Sequence, residues 1–132
     1  MTPAVVNQAA LLARVDRVQQ SVLDAARVAR LVLADLTDVP VIAVSLVPTV
    51  RGTFRVDVQV PTLAGLEVCI ARFGGERQVE TSGDSSYVAE HTSVDVRVDG
   101  VAVRLAWCRF LDDAEAAAWR AAQDATVGGG AR

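Results

Sequence analysis

Asp99-Gly100, set between two alternating apolar runs, limits the possible folds more than any other pair in the chain. A two-residue hairpin turn of type I′ needs positive φ at both central positions, which Asp tolerates and Gly prefers. With the turn placed there, Val98 faces Val101, Val96 faces Val103, Val94 faces Leu105 and Thr92 faces Trp107, all on one side. The other side pairs Arg97 with Ala102, Asp95 with Arg104, Ser93 with Ala106 and His91 with Cys108. A slip of one residue would bury Asp95 and Arg97, so turn chemistry and hydrophobic pattern specify the same register.

The N-terminal segment is constrained differently. Thr2-Pro3 reads as an N-cap followed by proline at the first helical position, and from there to Leu36 there is no Gly or Pro. Leu11, Val15, Val18, Val22, Ala25, Ala29, Val32 and Leu36 step alternately by four and three, a heptad-type seam. A helix from Pro3 to Leu36 would be roughly 50 Å long at 1.5 Å per residue. A compact chain of this size is only about 36 Å across. The helix therefore either bends near Asn7 to Leu12 or projects an apolar end, and Leu11, Val15, Val18 and Val22 are the expected contacts of a homodimer.

Downstream, Val41 to Val47 is apolar on both faces and reads as a strand covered in part on both sides. Thr53 to Val60 alternates, with Phe54, Val56 and Val58 inward. Leu66 to Phe73 reads as the next strand, with Leu66, Val68 and Ile70 inward and Glu67 and Cys69 outward. Arg77 to Thr81 makes a short edge strand, Ser82 to Ser86 a turn, and Tyr87 to His91 extends the first hairpin strand. Asp112 with Glu115 gives a capping-box start to a helix through Ala125.

The expectation is one α+β domain over residues 1–127, with 128–132 a flexible Gly-rich tail. A long N-terminal helix packs on an antiparallel meander sheet of about five strands, with a short C-terminal helix. This arrangement is similar in outline to helix-grip or cystatin-like folds, in element order alone, and that likeness carries no function with it.

Composition narrows the function classes. With 52% hydrophobic residues in 132 the chain has material for a real core. Its 13 basic residues are all arginine, against 16 acidic ones, for a net charge of −3. That balance leaves no electrostatic footprint for nucleic acid or an anionic membrane. The lysine-free vocabulary is that of a high-GC bacterial genome. Two distant cysteines, both inside expected strands, suit neither a disulfide framework nor a zinc site. There is no leader pattern and no run of roughly 18 apolar residues, so a soluble cytoplasmic protein is expected.

Several groups invite a chemical reading. His91 opposite Cys108 offers an imidazole beside a thiol, the pairing that activates a cysteine nucleophile; the plainer reading is a strand-end histidine beside a small apolar cysteine. Glu80, Asp84 and Glu90 surround the serine-rich turn without the ligand spacing of a calcium loop. Asp112, Asp113 and Glu115 are accounted for as helix caps, and Gly74-Gly75 lacks the context of a phosphate cradle. Arg55, Arg97 and Arg104 share the outer sheet face with Asp57, Glu67 and Asp95, a mixed-charge surface without an aromatic stacking row.

No cofactor or metal motif is present. The residues point first to a non-enzymatic interaction or accessory module that binds another protein and self-associates through its N-terminal helix. A cysteine-dependent enzyme or thiol sensor using Cys108 and His91 is the alternative, and nucleic-acid binding by the arginine-bearing face a weaker one.

Overall fold

The computed structural model describes residues 7–130, with side chains as far as residue 126. Its elements run α1 (Gln8–Asp35), β1 (Ala43–Pro48), β2 (Phe54–Gln59), α2 (Leu63–Phe73), β3 (Arg77–Gly83), β4 (Val88–Val98), β5 (Val101–Phe110) and α3 (Asp113–Gly130). This is an α+β fold with a long N-terminal helix on a five-stranded sheet and a shorter C-terminal helix. The expected cap at Thr2-Pro3 lies outside the described residues; the described helix starts at Gln8, where Asn7 Oδ1 accepts the Ala9 N–H at 2.8 Å. At the other end α3 runs to Gly130, into the glycine triplet, and residues 131 and 132 of the expected tail lie outside the described residues.

Asp99 and Gly100 both have positive φ, 49° and 79°, as the turn requires. The pairings of β4 with β5 follow from that turn, from Val98 with Val101 outward to His91 with Cys108. The sheet as a whole is not the expected meander. Its order is β1-β2-β5-β4-β3, antiparallel throughout except between β2 and β5, where Val56 pairs in parallel with Val103 and Val58 with Leu105. Two local units, the β1–β2 hairpin and the β3–β4–β5 meander, are thus joined side by side through their most apolar strands. That puts Val56, Val58, Val103 and Leu105 at the centre of the sheet, each essentially inaccessible to water.

The second departure is at Leu66 to Phe73, which is helical instead of extended. Thr62 caps α2 by accepting the Gly65 N–H at 3.0 Å, and Gly74, at φ 79°, closes it with its N–H on the Ile70 carbonyl. Leu66 and Cys69 are buried on one side of this helix, while Val68 is exposed. Cys69 is therefore a core residue, and Glu67 lies on α2, 3.6 Å from Arg77, away from the outer sheet face.

Helices α1 and α2 cover the same face of the sheet. Ala25, Val28, Ala29 and Val32 of α1 and Leu66 and Cys69 of α2 join the central valines in one core cluster. Arg72 locks the two helices together: its guanidinium donates to the Asp35 carbonyl at the C-terminus of α1 and to both carboxylate oxygens of Asp38. A cation there also suits the negative end of the helix dipole. β1 is covered on one side only, with Val44 and Leu46 packed on the core and Ile42 and Ala43 exposed. Its apolar outer residues reflect an edge position instead of a second layer. α3 starts with the expected capping box, Glu115 N–H to Asp112 Oδ1 at 2.8 Å and Asp112 N–H to Glu115 Oε1 at 3.2 Å. Arg109 on β5 and the Asp84 carbonyl at the β3–β4 turn, bound by Arg120, hold it in place.

Candidate functional site

α1 has 28 residues and is about 42 Å long. Only its second half is buried against the domain. Burial begins at Ser21, whose Oγ accepts the Phe54 N–H at 3.1 Å, and the buried positions are Ala25, Val28, Ala29 and Val32. From Gln8 to Gln20 every side chain is exposed. Leu11, Leu12, Val15 and Val18 are 44%, 64%, 60% and 41% accessible, and Val22, one turn further on, is half-buried. The apolar stripe that seats α1 on the sheet thus continues for roughly 20 Å beyond the point where the sheet ends. From Gln8 onward the helix is unbroken, so within the described residues the stripe is not tucked away.

Among the described residues, no helix covers the face of the sheet opposite α1 and α2. His91 and Cys108 are direct cross-strand partners there, and Glu80 of β3 pairs with His91 from the other side. A carboxylate, an imidazole and a thiol therefore stand in one row across three adjacent strands, at the spacing of about 5 Å that cross-strand neighbours share. Reading the chain in order did not bring Glu80 into this row, because its place depends on the register of β3 against β4. That register is set at Gly83-Asp84, where Asp84 Oδ1 accepts the backbone N–H groups of Ser86 and Tyr87. His91 and Cys108 line a hollow of about 690 Å³ whose far wall is Tyr87 and Phe110, packed edge to face with ring centres 5.6 Å apart.

The charged residues on the outer face largely neutralise one another. Arg55 makes a two-pronged pair with Asp57, and Arg104 does the same with Asp95. The Arg104 guanidinium holds the Asp95 carboxyl below its usual range. Arg97 donates to the Gly100 carbonyl within its own hairpin. Of the acidic residues near the serine-rich turn, Asp84 works as the turn's own acceptor and Glu90 pairs with Arg109 at 3.2 Å. Among the described residues, no group of three His, Cys, Asp or Glu side chains is placed to hold a metal ion, and no helix is long and apolar enough to cross a membrane. Comparison of the chain with protein-family models, with curated proteins and with solved structures gives no match.

Proposed function

We propose that this chain is a non-enzymatic protein-interaction module, an accessory or regulatory protein, that self-associates through the free end of α1. The observation that carries the proposal is the continuation of one apolar stripe from the core onto the unsupported half of the helix. A solvated helix of this length has no use for Leu11, Val15 and Val18 on the same side as its buried residues, and leaving them in water forgoes roughly 1.5–3 kcal/mol for each that a partner would bury. A second copy presents the same stripe in the same spacing, so the seam is self-complementary. Sedimentation equilibrium on the full chain tests this. The expected mass is twice 13.9 kDa, falling to a single chain in Leu11→Glu/Val15→Glu. A wild-type chain that stays monomeric at high concentration would remove self-association from the proposal.

The row Glu80, His91 and Cys108 favours a second reading, a thiol sensor or cysteine-dependent enzyme. In it, His91 takes the thiol proton, Glu80 orients the imidazole, and Cys108 attacks a group held against Tyr87 and Phe110. Fast alkylation of Cys108 near neutral pH, slowed at least tenfold by His91→Ala, would support this reading; an unreactive thiol in the folded chain would end it.

A further inference from the structure

Six of the arginines pair with carboxylates within the fold: Arg27, Arg55, Arg72, Arg77, Arg104 and Arg109. Arg97 and Arg120 are engaged by backbone carbonyls. Three of the others, Arg14, Arg17 and Arg51, have no acidic partner among the described residues and converge on one cleft of about 570 Å³. The cleft lies between α1 and the β1–β2 turn, just where α1 leaves the sheet. Among the described residues, no carboxylate lines it.

The remaining polar groups of the cleft are hydroxyls whose bonding leaves protons to give. Ser21 Oγ already accepts the Phe54 N–H, so its own proton is free for an acceptor outside the protein. Thr49 and Thr53 share one hydrogen bond of 2.7 Å between their hydroxyls, which leaves one of their two protons for another acceptor. The cleft therefore presents three guanidiniums and two donor hydroxyls to a ligand. A concave surface of a single sign concentrates counter-charge, and guanidinium forks match the oxygen geometry of phosphate. A single carboxylate would leave two of the three positive charges unmatched. The volume exceeds what an inorganic phosphate fills, and the rest of the wall is apolar, at Val18 and Val50.

We propose that this cleft binds a phosphate-bearing small molecule, with its phosphates among Arg14, Arg17 and Arg51 and its organic part against Val18 and Val50. The site lies at one end of the α1–β2 contact and shares Val18 with the proposed seam of α1, while its three arginines and its hydroxyls lie off that seam.

Isothermal titration of the full chain with inorganic pyrophosphate, against sodium chloride at equal ionic strength, tests the site. One saturable equivalent per chain is expected, with inorganic phosphate binding more weakly. Arg51→Gln and Arg14→Gln/Arg17→Gln should each weaken pyrophosphate at least tenfold, Arg51→Lys less, and Arg30→Gln not at all. These side chains are exposed, so circular dichroism should be unchanged in every variant. Absence of saturable binding, or equal affinity in the glutamine variants, would overturn the proposal. So would a single-stranded oligonucleotide that binds and is not displaced by pyrophosphate, which would assign the cleft to nucleic acid.

Discussion

Gly75 lies so close to Val94 that a Cβ on it would stand 2.4 Å from the valine Cγ1. The glycine also has φ +94°, in the region that side chains avoid. Its neighbour Gly74 shares the positive φ, at +79°, but has nothing within 4 Å of the same position. The two positions separate backbone strain from steric contact. Gly74→Ala should cost about 1–3 kcal/mol from the backbone alone, since φ 79° with ψ −154° is a conformation that glycine alone adopts readily, whereas Gly75→Ala should cost about 1–3 kcal/mol more than that, since its Cβ also meets Val94 in the core. Urea unfolding of the two variants measures the difference. Equal costs would show that the connection from α2 to β3 relaxes away from the sheet.

Substitutions along α2 distinguish its helical packing from an alternating strand. Leu66 is fully buried and Val68 is 38% accessible. Leu66→Ala is expected to destabilise by about 2–5 kcal/mol, and Val68→Ala by less than about 1 kcal/mol. An alternating strand would bury both side chains, and the two losses would then be similar.

The two thiols should report on opposite sides of the sheet. Cys69 is inaccessible and burial pushes its thiol pKa up, while Cys108 is partly exposed in the hollow beside His91. Reaction with a disulfide reagent at pH 8 should release one equivalent quickly from the native chain and a second only in denaturant. Two fast equivalents would mean that the core around α2 opens on the timescale of labelling.

Acid should weaken the fold through a defined set of carboxyls. Arg72 holds Asp38 low, the Ser86 and Tyr87 amides hold Asp84 low, Arg104 holds Asp95 low and Arg109 holds Glu115 low. A carboxyl whose pKa is lower in the folded than in the unfolded chain adds stability above its ordinary value, which is 3.8 for these aspartates and 4.5 for the glutamate. That contribution is lost as pH falls through the lowered values. Urea midpoints should be flat from pH 7 to pH 5 in these contributions and decline below about pH 4.5, less steeply in Asp95→Asn. Midpoints that rise below pH 4 would contradict the assignment. All four groups are exposed enough for solvent to screen them, so each effect should be small and reduced by salt.

What the chain discloses in advance depends on how local the determinant is. Asp99-Gly100 fixes ten cross-strand pairs because turn chemistry and alternation act on adjacent residues, and the His91–Cys108 pairing follows from it. The capping box at Asp112 and Glu115 is equally local. At α2 the local signals conflict: Leu66, Val68 and Ile70 fit a period of two, but Leu63, Leu66, Ile70 and Phe73 fit a helix. Thr62 and Gly74, a cap at each end of an eleven-residue segment, are the signals that decide for the helix. The β2–β5 pairing has no local determinant. No turn joins these strands, and their parallel alignment depends on two apolar edges meeting under α1 and α2. The anion cleft is hidden for the same reason, since Arg51 meets Arg14 and Arg17 only once α1 has crossed the end of the β1–β2 hairpin.

The parallel seam between β2 and β5 also gives the chain an order of assembly. Each flanking unit can form from neighbouring residues, the β1–β2 hairpin on one side and the β4–β5 hairpin on the other. The seam itself closes a long loop, which makes it the slow step. During synthesis, Val56 and Val58 wait with an open strand edge until Val103 and Leu105 have left the ribosome, so the buried face of α1, which meets β1 and β2 as well as β5, has only part of its core to rest on before then. The N-terminal half of the apolar stripe is open to other chains throughout, from its synthesis to the finished fold, because the sheet covers only the C-terminal half.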